Sequence, residues 1–131
     1  MKTKQLEAML DVSDGFNENI VAENPPAELY NILSALMKEK KVTRAELIRR
    51  LNVDRNYGYQ LLNGTRIPTR ENIIRIALLL RLTVDQLQQL LRAAGKSALY
   101  VRDIPDAKAY YALTHDMDYD DALLFIWGNE D

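Results

Sequence analysis

The stretch DRNYGYQLLNGTRIPT, from Asp54 to Thr69, gathers side chains suited to reading nucleic-acid bases. Arginine matches the O6 and N7 acceptors of guanine in the major groove, and asparagine or glutamine matches the N6 and N7 edge of adenine. Arg55, Asn56 and Gln60 carry those groups, with Tyr59 among them. Catalytic and metal chemistry find no comparable footing. His115 is the only histidine and there is no cysteine, so multi-histidine and thiolate metal sites are excluded. No glycine-rich phosphate loop occurs. DMDYDD, Asp116 to Asp121, superficially resembles a calcium loop, but Asp121 stands where that loop needs glycine and Trp127 where it needs a bidentate glutamate. These acids read instead as the start of a helix, with Asp118 capping it and Asp120 and Asp121 at its positive end. The sequence implies no enzyme, no metal and no cofactor.

Caps and hydrophobic spacing define the elements that must hold the base-reading groups. A helix should begin near Ala27, after Pro25-Pro26, with Leu29, Ile32, Leu33, Leu36 and Met37 on one face. Thr43 and Glu46 form a capping box for a helix that turns Leu47, Ile48 and Leu51 inward. Asn52 suits a left-handed turn, Asp54 caps the next helix, and Asn63-Gly64 ends it. Thr69 caps a helix over residues 70–81 whose Ile73, Ile74, Ile76, Ala77, Leu78, Leu79 and Leu80 leave little polar surface, which makes it the central buried helix. Thr83 and Gln86 open another, with Leu87, Leu90, Leu91 and Ala94 inward and Gly95 as its stop. Pro105 can start a helix to about His115 with Tyr110 and Tyr111 on its apolar side, and a last helix should run from Tyr119 to about Trp127. Tyr110, Tyr111, Phe125 and Trp127 read as core or dimer aromatics. A weak repeat relates Ile76–Leu91 to Tyr111–Ile126, as similarly packed helical hairpins would. No alternating strand pattern of useful length occurs, so the fold class is all-α with seven or eight helices.

The chain has 131 residues and a net charge of −2, which fits one domain and argues mildly against a polyanionic partner. The distribution argues otherwise. Residues 38–81 carry a net +7, and residues 103–131 a net −7. No apolar run is long enough to cross a bilayer, and the absence of cysteine fits a reducing cytoplasm.

The segment VTRAELIRRLNVDRNYGYQLLNGTRIPTRENIIRIALLLRLTVDQL, Val42 to Leu87, resembles the Xre-type (Cro/phage-repressor) helix-turn-helix family. Asn63-Gly64, Pro68-Thr69 and Thr83-x-Asp85 fall at the family's spacings. NYGYQLLNGTRIPTR, LLRAAGKSAL and LYVRD also look like a smaller branch of such regulators from Firmicutes. The resemblance implies a phage-repressor-like helical domain with an additional C-terminal helical hairpin. Its second motif helix would lie in the major groove, with Arg55, Asn56, Tyr59 and Gln60 as base readers. Lys41, Arg44, Arg66, Thr69 and Arg70 would bind phosphates, Thr69 and Arg70 at a helix N-terminus that favours anions. Two residues depart from the family pattern. Ile48 replaces the usual Ala of the first motif helix, and Gly58 replaces the usual Val or Ile of the second. Either volume is exchanged across one helix crossing, or Gly58 kinks the helix.

The expected organisation is an acidic N-terminal extension over residues 1–27, a DNA-binding domain over 28–95, and a C-terminal extension over 96–131 packed on the same core or at a dimer interface. The expected function is a cytoplasmic, sequence-specific transcriptional regulator that binds double-stranded DNA as a homodimer. The alternative is a repressor-fold interaction module, an antitoxin or adaptor, that engages a protein partner through its acidic ends and binds DNA little. Acid placed across the basic face around Arg44, Arg55, Arg66 and Arg70 would favour that alternative.

Overall fold

Side-chain caps fix where the helices begin. The computed structural model describes residues 27–128 and contains seven α-helices. The expected acidic N-terminal extension lies outside the described residues except for Ala27. Helix α1 runs Ala27–Glu39. Helix α2, Arg44–Leu51, starts at a capping box in which the Glu46 N–H donates to Thr43 Oγ1 (3.1 Å) and the Thr43 N–H donates to Glu46 Oε1 (3.3 Å). It ends at Asn52, whose φ of 58° is left-handed. Helix α3, Arg55–Asn63, is capped by Asp54, which accepts the Tyr57 N–H, and is closed by Gly64 at φ 91°. Helix α4, Arg70–Leu80, starts at Thr69, which accepts the Asn72 N–H. Helix α5, Val84–Ala93, has the Thr83–Gln86 capping box. Helices α6, Ile104–Thr114, and α7, Tyr119–Trp127, form an antiparallel C-terminal hairpin. No strand occurs among the described residues.

One hydrophobic cluster joins all these layers. Residues Ile73 to Leu80 of α4 are buried apart from Arg75, and α2, α5, α6 and α7 all pack on that helix. The recognition-type helix α3 packs on α1 and α2. The hairpin adds Ala109, Ala112, Tyr119, Ala122 and Ile126 to the same core. Small alanines on the inner face of α6 let it lie close to α4 and α5.

The hairpin departs from expectation in two places. Asp118 stands at the N-cap position of α7 but makes no capping hydrogen bond, because its carboxylate accepts from Arg81 Nη2 at 2.9 Å. Arg81 also grips Asp116 at 2.6 Å, so two carboxylates flanking the interhelix turn converge on one guanidinium. Tyr110 and Tyr111 are nearly half exposed rather than inward. The face of α6 turned to the core is lined by Asp106, Ala109 and Ala112.

Asp106 is the polar anchor of the hairpin. Its side chain is only 7% exposed and receives Arg70 Nη1 at 3.0 Å and Nη2 at 2.7 Å. The Tyr100 N–H adds a third bond at 2.9 Å. Arg70 in turn donates to the carbonyls of Ser97 and Ala98, both at 3.0 Å, tying the connector before α6 to the first turn of α4. The Arg70 hydrogen bonds hold the Asp106 carboxyl below the usual carboxylate range, outweighing burial, and the Tyr100 N–H adds to the effect. A depressed carboxylate stabilises the fold above its unfolded-state range and loses that contribution as pH falls through the folded value. Asp106→Asn should therefore destabilise the protein near neutral pH by about 1.5–3 kcal/mol, the usual range for hydrogen bonds to charged groups. The gap between wild type and variant should close as the pH is lowered through about 3.9 and below. Urea unfolding at several pH values measures this, and a gap independent of pH would show that the carboxylate is not the anchor.

Candidate nucleic-acid interface

Helix α3 is unbroken across Gly58, whose N–H donates to the Asp54 carbonyl at 2.8 Å. A Cβ added at Gly58 would lie 2.7 Å from Ile48 Cγ2 and 2.9 Å from Cγ1. Those distances are shorter than van der Waals contact. The large residue of α2 thus fills the space that the small residue of α3 leaves, and the kinked-helix alternative falls. Glycine is required at this crossing by close approach, not by a bend.

On the outer side of this crossing, Arg55 and Asn56 are exposed, while Tyr59 and Gln60 are half-buried. Arg55 lies over the Tyr59 ring with its guanidinium carbon 5.9 Å from the centroid. Both residues border a cleft of about 320 Å³ between α2 and α3, together with Ala45, Ile48, Arg49, Asn52 and Val53. Lys41, Arg44 and Arg66 are exposed and form no ion pair within the described residues. Lys41 sits in the left-handed turn before α2 at φ 59°, and Thr69 is exposed at the start of α4.

A family model described as Helix-turn-helix matches residues 33–87. That stretch is similar to the Xre/Cro-like helix-turn-helix family. The match covers α2, α3 and α4 whole and the second half of α1, and it reaches into α5. No curated protein and no solved structure matches the chain. The family is one of DNA-binding regulators, which agrees with the all-helical fold and with the charge of its central segment.

Arg70 does not stand with the other basic residues of the helix-turn-helix. Four of its N–H groups are engaged by Asp106, Ser97 and Ala98, so the guanidinium is turned to the hairpin rather than offered to a phosphate. Its place at the α4 N-terminus suggests a phosphate contact, but nothing local in the sequence marks a carboxylate 36 positions away. Two tyrosines around the helix-turn-helix carry no signal in the sequence pattern. Tyr57 lies under Arg66, whose guanidinium carbon is 5.9 Å from the ring centroid, and its hydroxyl lies 3.5 Å from the Asn72 side-chain amide in the first turn of α4. Tyr30 of α1 donates its hydroxyl to the Arg66 carbonyl and lays its ring against Gly64. Burial pushes the Tyr30 hydroxyl up to about 12, so it stays protonated and keeps donating. Arg66 is therefore held through its backbone by α1 and through its side chain by α3.

The Gly58–Ile48 contact predicts a reversal of sign. Gly→Ala inside a helix ordinarily gains about 0.5–1 kcal/mol. Gly58→Ala should instead destabilise this protein by about 1–3 kcal/mol through overpacking. In an Ile48→Ala background, where the space has been opened, the same substitution should stabilise. Denaturant unfolding of the four proteins reads both steps, and a stabilising Gly58→Ala in the wild-type background would mean that the two residues do not meet.

Proposed function

We propose that this protein is a sequence-specific DNA-binding transcriptional regulator of the Xre type that reads the major groove with α3. The observation that carries the reading is the unbroken, capped α3, packed on α2 through the Gly58–Ile48 contact and exposing Arg55 and Asn56, with Lys41, Arg44 and Arg66 exposed and unpaired among the described residues. In this reading Arg55, Asn56, Tyr59 and Gln60 face base edges, where bidentate contacts supply discrimination. Lys41, Arg44, Arg66 and Thr69 meet phosphates, which fix register and carry no sequence information. Residues 28–95 act as the DNA-binding domain and residues 96–131 as a helical extension anchored on it. The protein works in the cytoplasm and as a homodimer, because a single helix-turn-helix reads only a short half-site and two-fold operators mirror two-fold proteins.

One observation favours a second reading. Asp106 covers Arg70, one of the four basic residues expected on the DNA face, as an acidic segment would in an interaction module with little DNA binding. The same carboxylate is buried and serves as the hairpin's anchor, and no acid of the described residues is paired with Arg44, Arg55 or Arg66. The balance of these contacts supports DNA.

Selection of bound sequences from random duplexes, followed by a salt titration on the winner, tests the proposal. Affinity should fall steeply with salt as phosphate contacts release counterions. Asn56→Ala should change the preferred bases at a cost of about 1–3 kcal/mol at its position. Arg66→Ala should weaken all duplexes alike and lower the salt slope by about one. An unenriched pool with a flat salt dependence would sink the regulator reading and leave the interaction module standing.

A further inference from the structure

The cleft between α2 and α3 is lined by apolar and cationic side chains. Ala45, Ile48 and Val53 supply the apolar part of its 320 Å³, with Arg49, Arg55 and Tyr59 around them. Arg49 and Arg55 are exposed and form no ion pair within the described residues. No acid of the described residues lines the cleft. The two acids nearest in sequence are turned to helix caps: Glu46 is bonded to Thr43, and Asp54 accepts the Tyr57 N–H. Residues 41–66 as a whole hold six Lys or Arg against those two acids. Such a surface suits a segment that is both acidic and apolar, since complementary charge steers it and apolar burial holds it.

The chain carries such a segment itself. Residues 5–26 contain five acids and no Lys or Arg. Within them, residues 7–18 (EAMLDVSDGFNE) interleave Glu7, Asp11, Asp14 and Glu18 with Met9, Leu10, Val12 and Phe16. The fold sets the start of α1 next to the end of α3. Tyr30, in the first turn of α1, donates its hydroxyl to the Arg66 carbonyl and lays its ring against Gly64, which closes α3. The acidic segment is therefore tethered beside the helix it would cover. Helix α3 has nine residues and is about 14 Å long. Residues 19–26 can span up to about 27 Å, enough to bring residues 7–18 to the cleft. A tethered segment meets its own fold at an effective concentration on the order of millimolar, so weak docking suffices.

We propose that residues 7–18 dock in the α2–α3 cleft of their own chain, with carboxylates toward Arg49 and Arg55 and apolar side chains on Ile48 and Val53, and so compete with DNA for α3. The inference rests on the DNA reading above and adds a regulator within the same chain. A segment docked about nine-tenths of the time weakens DNA binding about tenfold, because the apparent Kd is the intrinsic one divided by the free fraction.

The chain has no cysteine, so a nitroxide on Ser13→Cys labels the segment of the full chain at one place. Without DNA, it should broaden the amide resonances of Ala45, Asn52, Arg55 and Tyr59 and spare those of the hairpin. High salt, Arg49→Glu, or neutralising Glu7, Asp11, Asp14 and Glu18 together to Gln or Asn should each restore them. Sharp cleft resonances overturn the proposal, as does broadening centred on the exposed apolar residues of the hairpin. Broadening that appears only between a spin-labelled chain and a second, isotope-labelled one overturns it too, since the segment would then sit on another copy. Affinity for a duplex at low salt is the second readout. The neutralised segment should bind about tenfold more tightly than wild type. Neutralising four other exposed acids, Glu39, Asp85, Asp120 and Asp121, changes net charge equally and should give no comparable gain. Equal gains would leave the segment no role of its own and overturn the competition. Cleft broadening in a chain that binds no duplex in any form would uphold the docking and sink the DNA reading, so the two failures are told apart.

Discussion

Helix α4 has almost no surface to give to water, and the rest of the fold follows from that. From Ile73 to Leu80 every residue but Arg75 is buried. An element apolar around its whole circumference must be surrounded, and four other helices do so. Its polar residues are confined to the first turn and to Arg75. Arg75 pairs with Glu71 at 2.8 Å and lies over the Trp127 ring, so even this charge is used to hold α7. The first turn is where the helix-turn-helix meets the C-terminal hairpin. Thr69 faces outward beside α3, and Arg70 faces the hairpin.

Local signals were enough for the helix boundaries. Thr43, Asp54, Thr69 and Thr83 each accept the backbone N–H expected of a cap, and Asn52 and Gly64 take the left-handed conformations that their types suggest. The Gly58–Ile48 exchange was also legible, because two departures from one pattern pointed at the same crossing. What could not be read were contacts that join distant segments through polar groups. Nothing near Arg70 indicates that Asp106 and two connector carbonyls will take its guanidinium. Nothing near Asp118 indicates that Arg81 will draw it away from the cap. The aromatics of α6 failed for another reason. Tyr110 and Tyr111 are apolar enough to suggest burial, but alanines fit the narrow space against α4 and α5, and the tyrosines were left outside.

The candidate interface divides in the same way. Its α3 side depends on one short helix whose register is fixed by a cap, a glycine stop and a single tight crossing. Its Arg66 side depends on long-range supports that no motif records. Tyr30 from α1 and Tyr57 from α3 both act on Arg66, one through the backbone and one through the side chain. An arginine supported at both ends loses less conformational freedom on meeting a phosphate than a fully mobile one.

The interlock of Ile48 with Gly58 also constrains how this chain can change over generations. A single step at position 58 to any residue with a Cβ collides with Ile48, and a single step at position 48 to a small residue opens a void. Either first step moves the protein downhill in stability before a second can restore it. Such epistasis isolates the pair: drift at either position is selected against unless the other has already moved. The exposed side of the same helix carries no such restriction, so Arg55 and Asn56 are free to diverge on a scaffold whose inner contact is locked in history.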